Sequence, residues 1–236
     1  MKRSVSLPVF IVSVLAALAV GGLGAVLGYV YFVGGSGEAT RDVEAAPIAP
    51  GAEDTSATRT FTILPEESEI SFKLEEDLMG ARTTVIGTSN QVTGNIAVNF
   101  DDPTRSMVGP IEINLRTLAT NNEFRNRAIR DQILESNQDR YEFTTFTPTA
   151  VARLPEAVAV GDTFTFSLTG NLPIREITRE VVWEVTVTVV SETRLEGIAI
   201  TQVTRSDYEL VIPNVPSVAN VTDEVDLKIE FVAIAD

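Results

Sequence analysis

Thr117–Phe146, TLATNNEFRNRAIRDQILESNQDRYEFTTF, interrupts a long series of alternating patterns and is the only soluble segment that reads as helical. Asn121 or Asn122 is placed to cap a helix beginning at Glu123, whose charge suits the positive end of the helix dipole. Yet Phe124 and Ala128 fall on one side of such a helix, Ile129 and Ile133 on nearly the opposite side, and Leu134 elsewhere. One continuous helix would scatter its apolar residues all round, so the spacing predicts two short helical turns with a bend. Ile129 and Ile133, one turn apart, are expected to point inward, with Arg125, Arg127 and Arg130 reaching solvent. A polar, arginine-bearing excursion between strands predicts a barrel whose open end is covered. Such a barrel is built to hold something inside.

The flanking sequence alternates with a period of two. Phe61 and Ile63 share a face, as do Ile70, Phe72 and Leu74, then Ile96, Val98 and Phe100, then Ile111, Ile113 and Leu115. Phe164, Phe166 and Leu168 follow, then Val181 through Val189 at every second position. Near the end Leu227, Ile229 and Phe231 alternate with Asp226, Lys228 and Glu230. This is the pattern of half-buried antiparallel strands, with turn signals such as Asp101-Asp102-Pro103 between them. About eight or more strands in one domain make a closed barrel or a sandwich, and periodicity alone does not choose between these. If a barrel forms, its inward wall is expected to include Phe72, Leu74, Ile96, Phe100, Ile113, Phe143, Phe166, Trp183 and Val185. An interior of that size is either filled by side chains or holds one small ligand. Trp183 adds a requirement, because a buried indole N–H usually finds a partner, here a ligand head group or a backbone carbonyl.

Composition excludes several function classes. The 236-residue chain has no His and no Cys, so histidine-based serine triads, thiol catalysis and the common zinc sites are ruled out. Adjacent carboxylates occur at Glu66-Glu67, Glu75-Glu76 and Asp101-Asp102. Neighbours on a strand point to opposite faces, so these read as acidic loops and not as facing acid and base. No enzyme activity, catalytic residue, metal site or cofactor is expected.

No charged residue occurs between Arg3 and Glu38, and Leu7–Val33 is almost wholly apolar. As a helix those residues would be about 40 Å long at about 1.5 Å each, enough to cross a hydrocarbon core of about 30 Å with some tilt. A cleaved signal peptide has an apolar region of only about 7–15 residues, so residues 7–33 read as an uncleaved transmembrane anchor. Lys2 and Arg3 precede it, which places the short terminus, residues 1–6, in the cytoplasm and the remainder outside. The exported part carries 16 basic against 33 acidic residues, a net charge of −17. Nucleic acid is therefore not an expected partner. Residues 34–58, rich in Gly, Ala, Pro and acidic residues, read as a disordered tether. The folded unit is expected over 59–236.

Three stretches bring a family into view. Thr120-Asn121-Asn122-Glu123-Phe124-Arg125, continuing through Ile129 to Leu134-Glu135-Ser136, is followed by the strand Tyr141–Phe146. Gly170-Asn171-Leu172-Pro173-Ile174-Arg175-Glu176-Ile177-Thr178 forms a hairpin signal, and Arg205-Ser206-Asp207-Tyr208-Glu209-Leu210 stands before the last strand. In this order they resemble the YceI-like family of bacterial exported lipid-binding proteins. The resemblance implies an all-β, extended lipocalin-like antiparallel β-barrel with a short helical flap. It also implies a polyisoprenoid or isoprenoid-quinone type ligand in the cavity, held by a protein in the bacterial cell membrane whose C-terminal domain lies outside the cytoplasm. The alternative is a ligand-free surface interaction module with a solid core. For a ligand, Thr120, Asn122 and Arg125 are the expected rim contacts beside Ile129 and Ile133. Arg125 and Arg127 are expected either to hold a head group or to pair with Glu123, Asp131 or Glu135. The chain departs from the family where Ala128-Ile129 stands for a histidine-leucine pair, where Glu176 and Glu209 replace glycines, and where Glu142 replaces a frequent proline.

Overall fold

Eight antiparallel strands close into a barrel because the first strand meets the last. The computed structural model describes residues 36–48 and 58–235. In ring order the wall is β1 (Thr58–Ile63), β4 (Val92–Asn99), β5 (Met107–Asn114), β6 (Phe143–Ala152), β7 (Thr163–Ile174), β8 (Ile177–Ser191), β9 (Arg194–Thr204) and β11 (Glu224–Ile234). Closure comes from Thr62 opposite Ile234 and Ile63 opposite Ala233. The sandwich is excluded, and the fold is an all-β lipocalin-like barrel with one short helix. The predicted transmembrane segment lies outside the described residues. Among those described, no helix is long and apolar enough to cross a membrane.

β11 has a second partner on the same edge. Beyond its pairing with β1, residues Asp226–Glu230 pair with β2 (Glu69–Leu78), which follows β1 after a break at Pro65. β2 pairs in turn with β3 (Ala81–Ser89), and β10 (Val218–Ala219) adds two residues to its tip. The far edge of β3 has one bridge among the described residues, Thr88 with Ala119. At this upper end the wall is therefore completed by the excursion between β5 and β6.

That excursion is one short helix run into a wider turn. Asn122 caps α1 (Glu123–Ala128) by accepting the Arg125 backbone N–H at 3.1 Å. Ile129–Ile133 then form a π turn, closed by Leu134 N–H donating to the Ile129 carbonyl at 2.8 Å. The extra residue per turn resolves the scattered apolar spacing. It rephases the chain so that Phe124, Ala128, Ile129 and Ile133 all line one cavity.

Alternation holds along the wall. Val181, Trp183, Val185, Val187 and Val189 are buried on β8, while Val182 on the outer face is 54 % exposed. Phe143 is a correction. Phe143 and Phe146 lie three apart on β6 and cannot share a face; Thr144 and Phe146 are buried, and Phe143 faces outward.

A second correction concerns the expected tether. Residues 36–48 lie along the outer wall as an extended strap, and Thr58 already belongs to β1. Thr40 donates its N–H and its hydroxyl to the two carboxylate oxygens of Glu142, each at 2.7 Å. Arg41 grips Glu112 in a bidentate pair at 2.8 and 2.9 Å and lies 3.8 Å over the Phe143 ring. Asn95 Nδ2 donates to the Ala46 carbonyl at 3.0 Å, and Val43 is buried. Residues 34–35 and 49–57 of that stretch lie outside the described residues.

The two glutamates that stand for glycines sit in different backbone settings. In the β7–β8 turn the left-handed backbone falls on Arg175 (φ 55°) and not on Glu176. Glu209 itself is left-handed (φ 52°, ψ 32°). Glycine adopts that region freely, and a residue with a Cβ does so at a cost.

Candidate functional site

Among the described residues, one cavity lies above another within the barrel. The upper, of about 450 Å³, is walled by β2, the tops of β5, β7, β8 and β11, the flap, and the loop that follows β9. The lower, of about 90 Å³, lies among apolar side chains of β4 to β9 and β11. Ile113 and Trp183 line both, so together they form the partition between them. The upper volume falls within the range of about 300–1,000 Å³ typical of small-molecule pockets.

The expected residues distribute as follows. Phe72, Leu74, Asn122, Arg125, Ile129 and Ile133 line the upper cavity, with Ile113 and Trp183 at its floor. Ile96, Phe166 and Val185 line the lower one. Three do not join either cavity. Phe100 packs edge-on against Phe61, ring centroids 6.2 Å apart. Phe143 lies under the strap. Thr120 is held by Asn126, whose Oδ1 accepts both its N–H and its hydroxyl at 2.7 Å. The Trp183 ring meets Phe146 edge-on at 6.1 Å, and among the described residues no backbone carbonyl accepts from its Nε1.

One buried ion pair marks the polar end of the upper cavity. Arg125 donates to Glu76 Oε1 at 2.6 Å, and its side chain is largely buried. Arg125 therefore pairs with none of Glu123, Asp131 or Glu135. Glu76 continues the inward row of Ile70, Phe72 and Leu74, a signal that period two already carried. Arg127 does pair with Glu123, at 3.1 Å. Arg130 corrects the expectation of a solvent-facing group: it is 3 % exposed and pairs with Glu123 at 3.1 Å.

The loop after β9 closes the remaining side; sequence reading singles out its Arg205–Leu210 stretch as a motif but expects none of its residues at the cavity. Arg205 knots it by donating to the carbonyls of Thr222 (2.8 Å), Leu210 (3.1 Å) and Val221 (3.3 Å). Leu210, Ile212, Pro213 and Val215 present apolar surface to the cavity. Tyr208 is buried beneath, its hydroxyl donating to the Leu172 carbonyl at 3.3 Å. Burial pushes the phenol up to about 12, so it stays protonated and serves as a strut.

Behind the flap, Arg116 pairs with the fully buried Glu142 at 3.0 Å. Arg116 also donates to the carbonyls of Ser136 (2.7 Å) and Asn137 (3.2 Å) and to Asp139 Oδ1 (2.8 Å). One cluster thus ties the strap, β5 and the end of the flap. Burial pushes the Glu142 carboxyl up, but the bonds from Thr40 and Asn114 and the Arg116 charge outweigh it and hold it below its ordinary 4.5. No group of acidic side chains among the described residues is arranged to hold a metal ion.

Comparison with known proteins agrees with this architecture. The YceI-like domain matches residues 61–233, and the chain belongs to that family. Solved structures share the fold, two of them over most of this chain. One is a polyisoprenoid-binding domain from Saccharophagus degradans, at 16 % identity and TM-score 0.56, covering 75 % of this chain and 98 % of that one. The other is BcnA of Burkholderia cenocepacia, at 18 % identity and TM-score 0.55, covering 72 % and 98 %. No curated protein matches the chain.

Proposed function

We propose that this protein sequesters or carries an apolar lipid of polyisoprenoid or isoprenoid-quinone type in its upper cavity. The observation that carries the reading is the cavity itself: about 450 Å³, apolar through its depth, with the Arg125–Glu76 pair at its polar end. The S. degradans relative is described as a polyisoprenoid-binding domain, which supports the same ligand class here. Burying a hydrocarbon chain gains about 0.8 kcal/mol per CH2, so an isoprenoid tail gains several kcal/mol per unit before ordering costs. A ligand-free module with a solid core is the weaker reading, because side chains leave this volume open.

The proposal extends to location. Leu7–Val33 is read as a single transmembrane anchor that keeps the barrel outside the cytoplasm, beside the bilayer that supplies the lipid. Binding and not catalysis is the reading favoured by a chain without His or Cys, which lacks the usual general base and thiol nucleophile. Organic extraction of the purified full chain, followed by mass spectrometry, tests the reading. Near-stoichiometric recovery of a long-chain lipid is the expected result. Repeated absence of lipid from protein purified out of native membranes would overturn it.

A further inference from the structure

Three exposed apolar side chains belong to elements that border the upper cavity. Met79 is 86 % exposed at the β2–β3 turn, Val211 is 73 % exposed in the loop after β9, and Phe124 is 50 % exposed on α1. They come from three separate elements. Met79 and Phe124 also line the upper cavity, as do Leu210 and Ile212 on either side of Val211. The apolar ring is thus the rim of the cavity mouth. Solvent-facing apolar residues scattered singly need no explanation, but a ring of them around a cavity mouth marks a contact surface.

The strap identifies what the surface meets. It enters at the mouth end, where Gly37 lies so close to the flap that a Cβ there would come within 2.8 Å of the Arg130 guanidinium. From there it runs away from the mouth, past Glu142 and Glu112 to Asn95. Only Gly34 and Gly35 separate Val33 from Ser36. Three residue steps span at most about 10 Å even when fully extended. If Leu7–Val33 crosses the bilayer, the point where the strap starts, beside the flap that borders the mouth, lies within that distance of the membrane.

We propose that the rim formed by Met79, Phe124 and Val211 rests on the lipid bilayer, with the cavity opening directly onto it. This inference relies on the anchoring reading above. The exported part carries −17, and the flap arginines Arg125, Arg127 and Arg130 are already paired with Glu76 or Glu123, so the contact is apolar and insensitive to salt. An apolar ligand then passes between bilayer and cavity without crossing water.

The absence of cysteine makes single-cysteine labelling clean. Met79→Cys, Val211→Cys and Val160→Cys are made in the full chain, labelled with an environment-sensitive fluorophore and reconstituted into phosphatidylcholine vesicles containing nitroxide-labelled lipid. Val160 is 54 % exposed and precedes β7 at the opposite end of the barrel. The labels at 79 and 211 are expected to shift blue and lose most of their emission to the nitroxide, at low and high salt alike, while the label at 160 keeps its emission. Vesicle flotation runs in parallel. Protein that fails to float refutes the anchor. Protein that floats with unquenched labels at 79 and 211, or with all three quenched equally, refutes the docking surface. A blue shift without quenching that disappears on dilution assigns the rim to a second copy and also refutes it.

Discussion

Glu142→Gln tests whether the strap is structural. Four donors converge on the two oxygens of this fully buried carboxylate: Thr40 N–H and hydroxyl at 2.7 Å, and Asn114 Nδ2 and Arg116 Nη1 at 3.0 Å. Glutamine keeps the volume but turns one oxygen into a donor, setting donor against donor and removing the charge that offsets Arg116. Breaking a buried ion pair from one side costs about 3–5 kcal/mol. Arg116 keeps two carbonyls and Asp139, which places the expected loss at the lower end, about 3 kcal/mol. In a domain of this size that lowers Tm by about 6–12 °C. Circular dichroism melting measures the loss, and hydrogen exchange of residues 36–48 locates it. The pH dependence supplies a second readout. A carboxyl lowered in the folded state contributes stability that is fully present above its unfolded value of 4.5 and is lost as pH falls through the lower folded value. Glu112, held low first by its hydrogen bond from Arg41, behaves in the same way. The wild-type strap should therefore release in acid, below pH 4.5, and the variant should lose the Glu142 share of that dependence. A variant that melts with wild type and keeps its strap amides protected would refute this account.

Ile129→Asp puts a carboxylate into the apolar upper cavity, at a cost that a raised pKa only partly relieves. Lipid content by mass spectrometry should fall sharply, while Val182→Asp on the outer face of β8 leaves it unchanged; equal lipid in the two would mean that the flap does not face the ligand. Arg125→Ala strands Glu76 at the mouth and should cost about 3 kcal/mol, and Arg125→Met combined with Glu76→Leu should recover most of that loss in the melting curve. Glu209→Gly relieves the left-handed backbone at the turn before the mouth loop and should raise stability by about 0.5–1 kcal/mol, read from denaturant midpoints at unchanged slope.

The strand pattern was legible because burial on one face imposes period two, and β8 shows it without a break from Val181 to Val189. Where the sequence offered two aromatics out of phase, as at Phe143 and Phe146, periodicity had no means of choosing, and an outer cover decided the matter. That cover is the strap, and it was illegible for a physical reason. It is held by backbone and carboxylate bonds, with Val43 as its buried apolar side chain, so it carries no hydrophobic period to detect. Its trace in the sequence lies elsewhere, at Glu142, the buried acceptor of the Thr40 N–H and hydroxyl. The same logic applies to Glu76. Ile70, Phe72 and Leu74 set the inward face of β2, and the next residue on that face is a carboxylate. A charge that continues an inward row must either be neutralised or meet a cation brought by another element. The flap brings it, as Arg125, and so the one charged pair lining the upper cavity stands where the lid meets the wall.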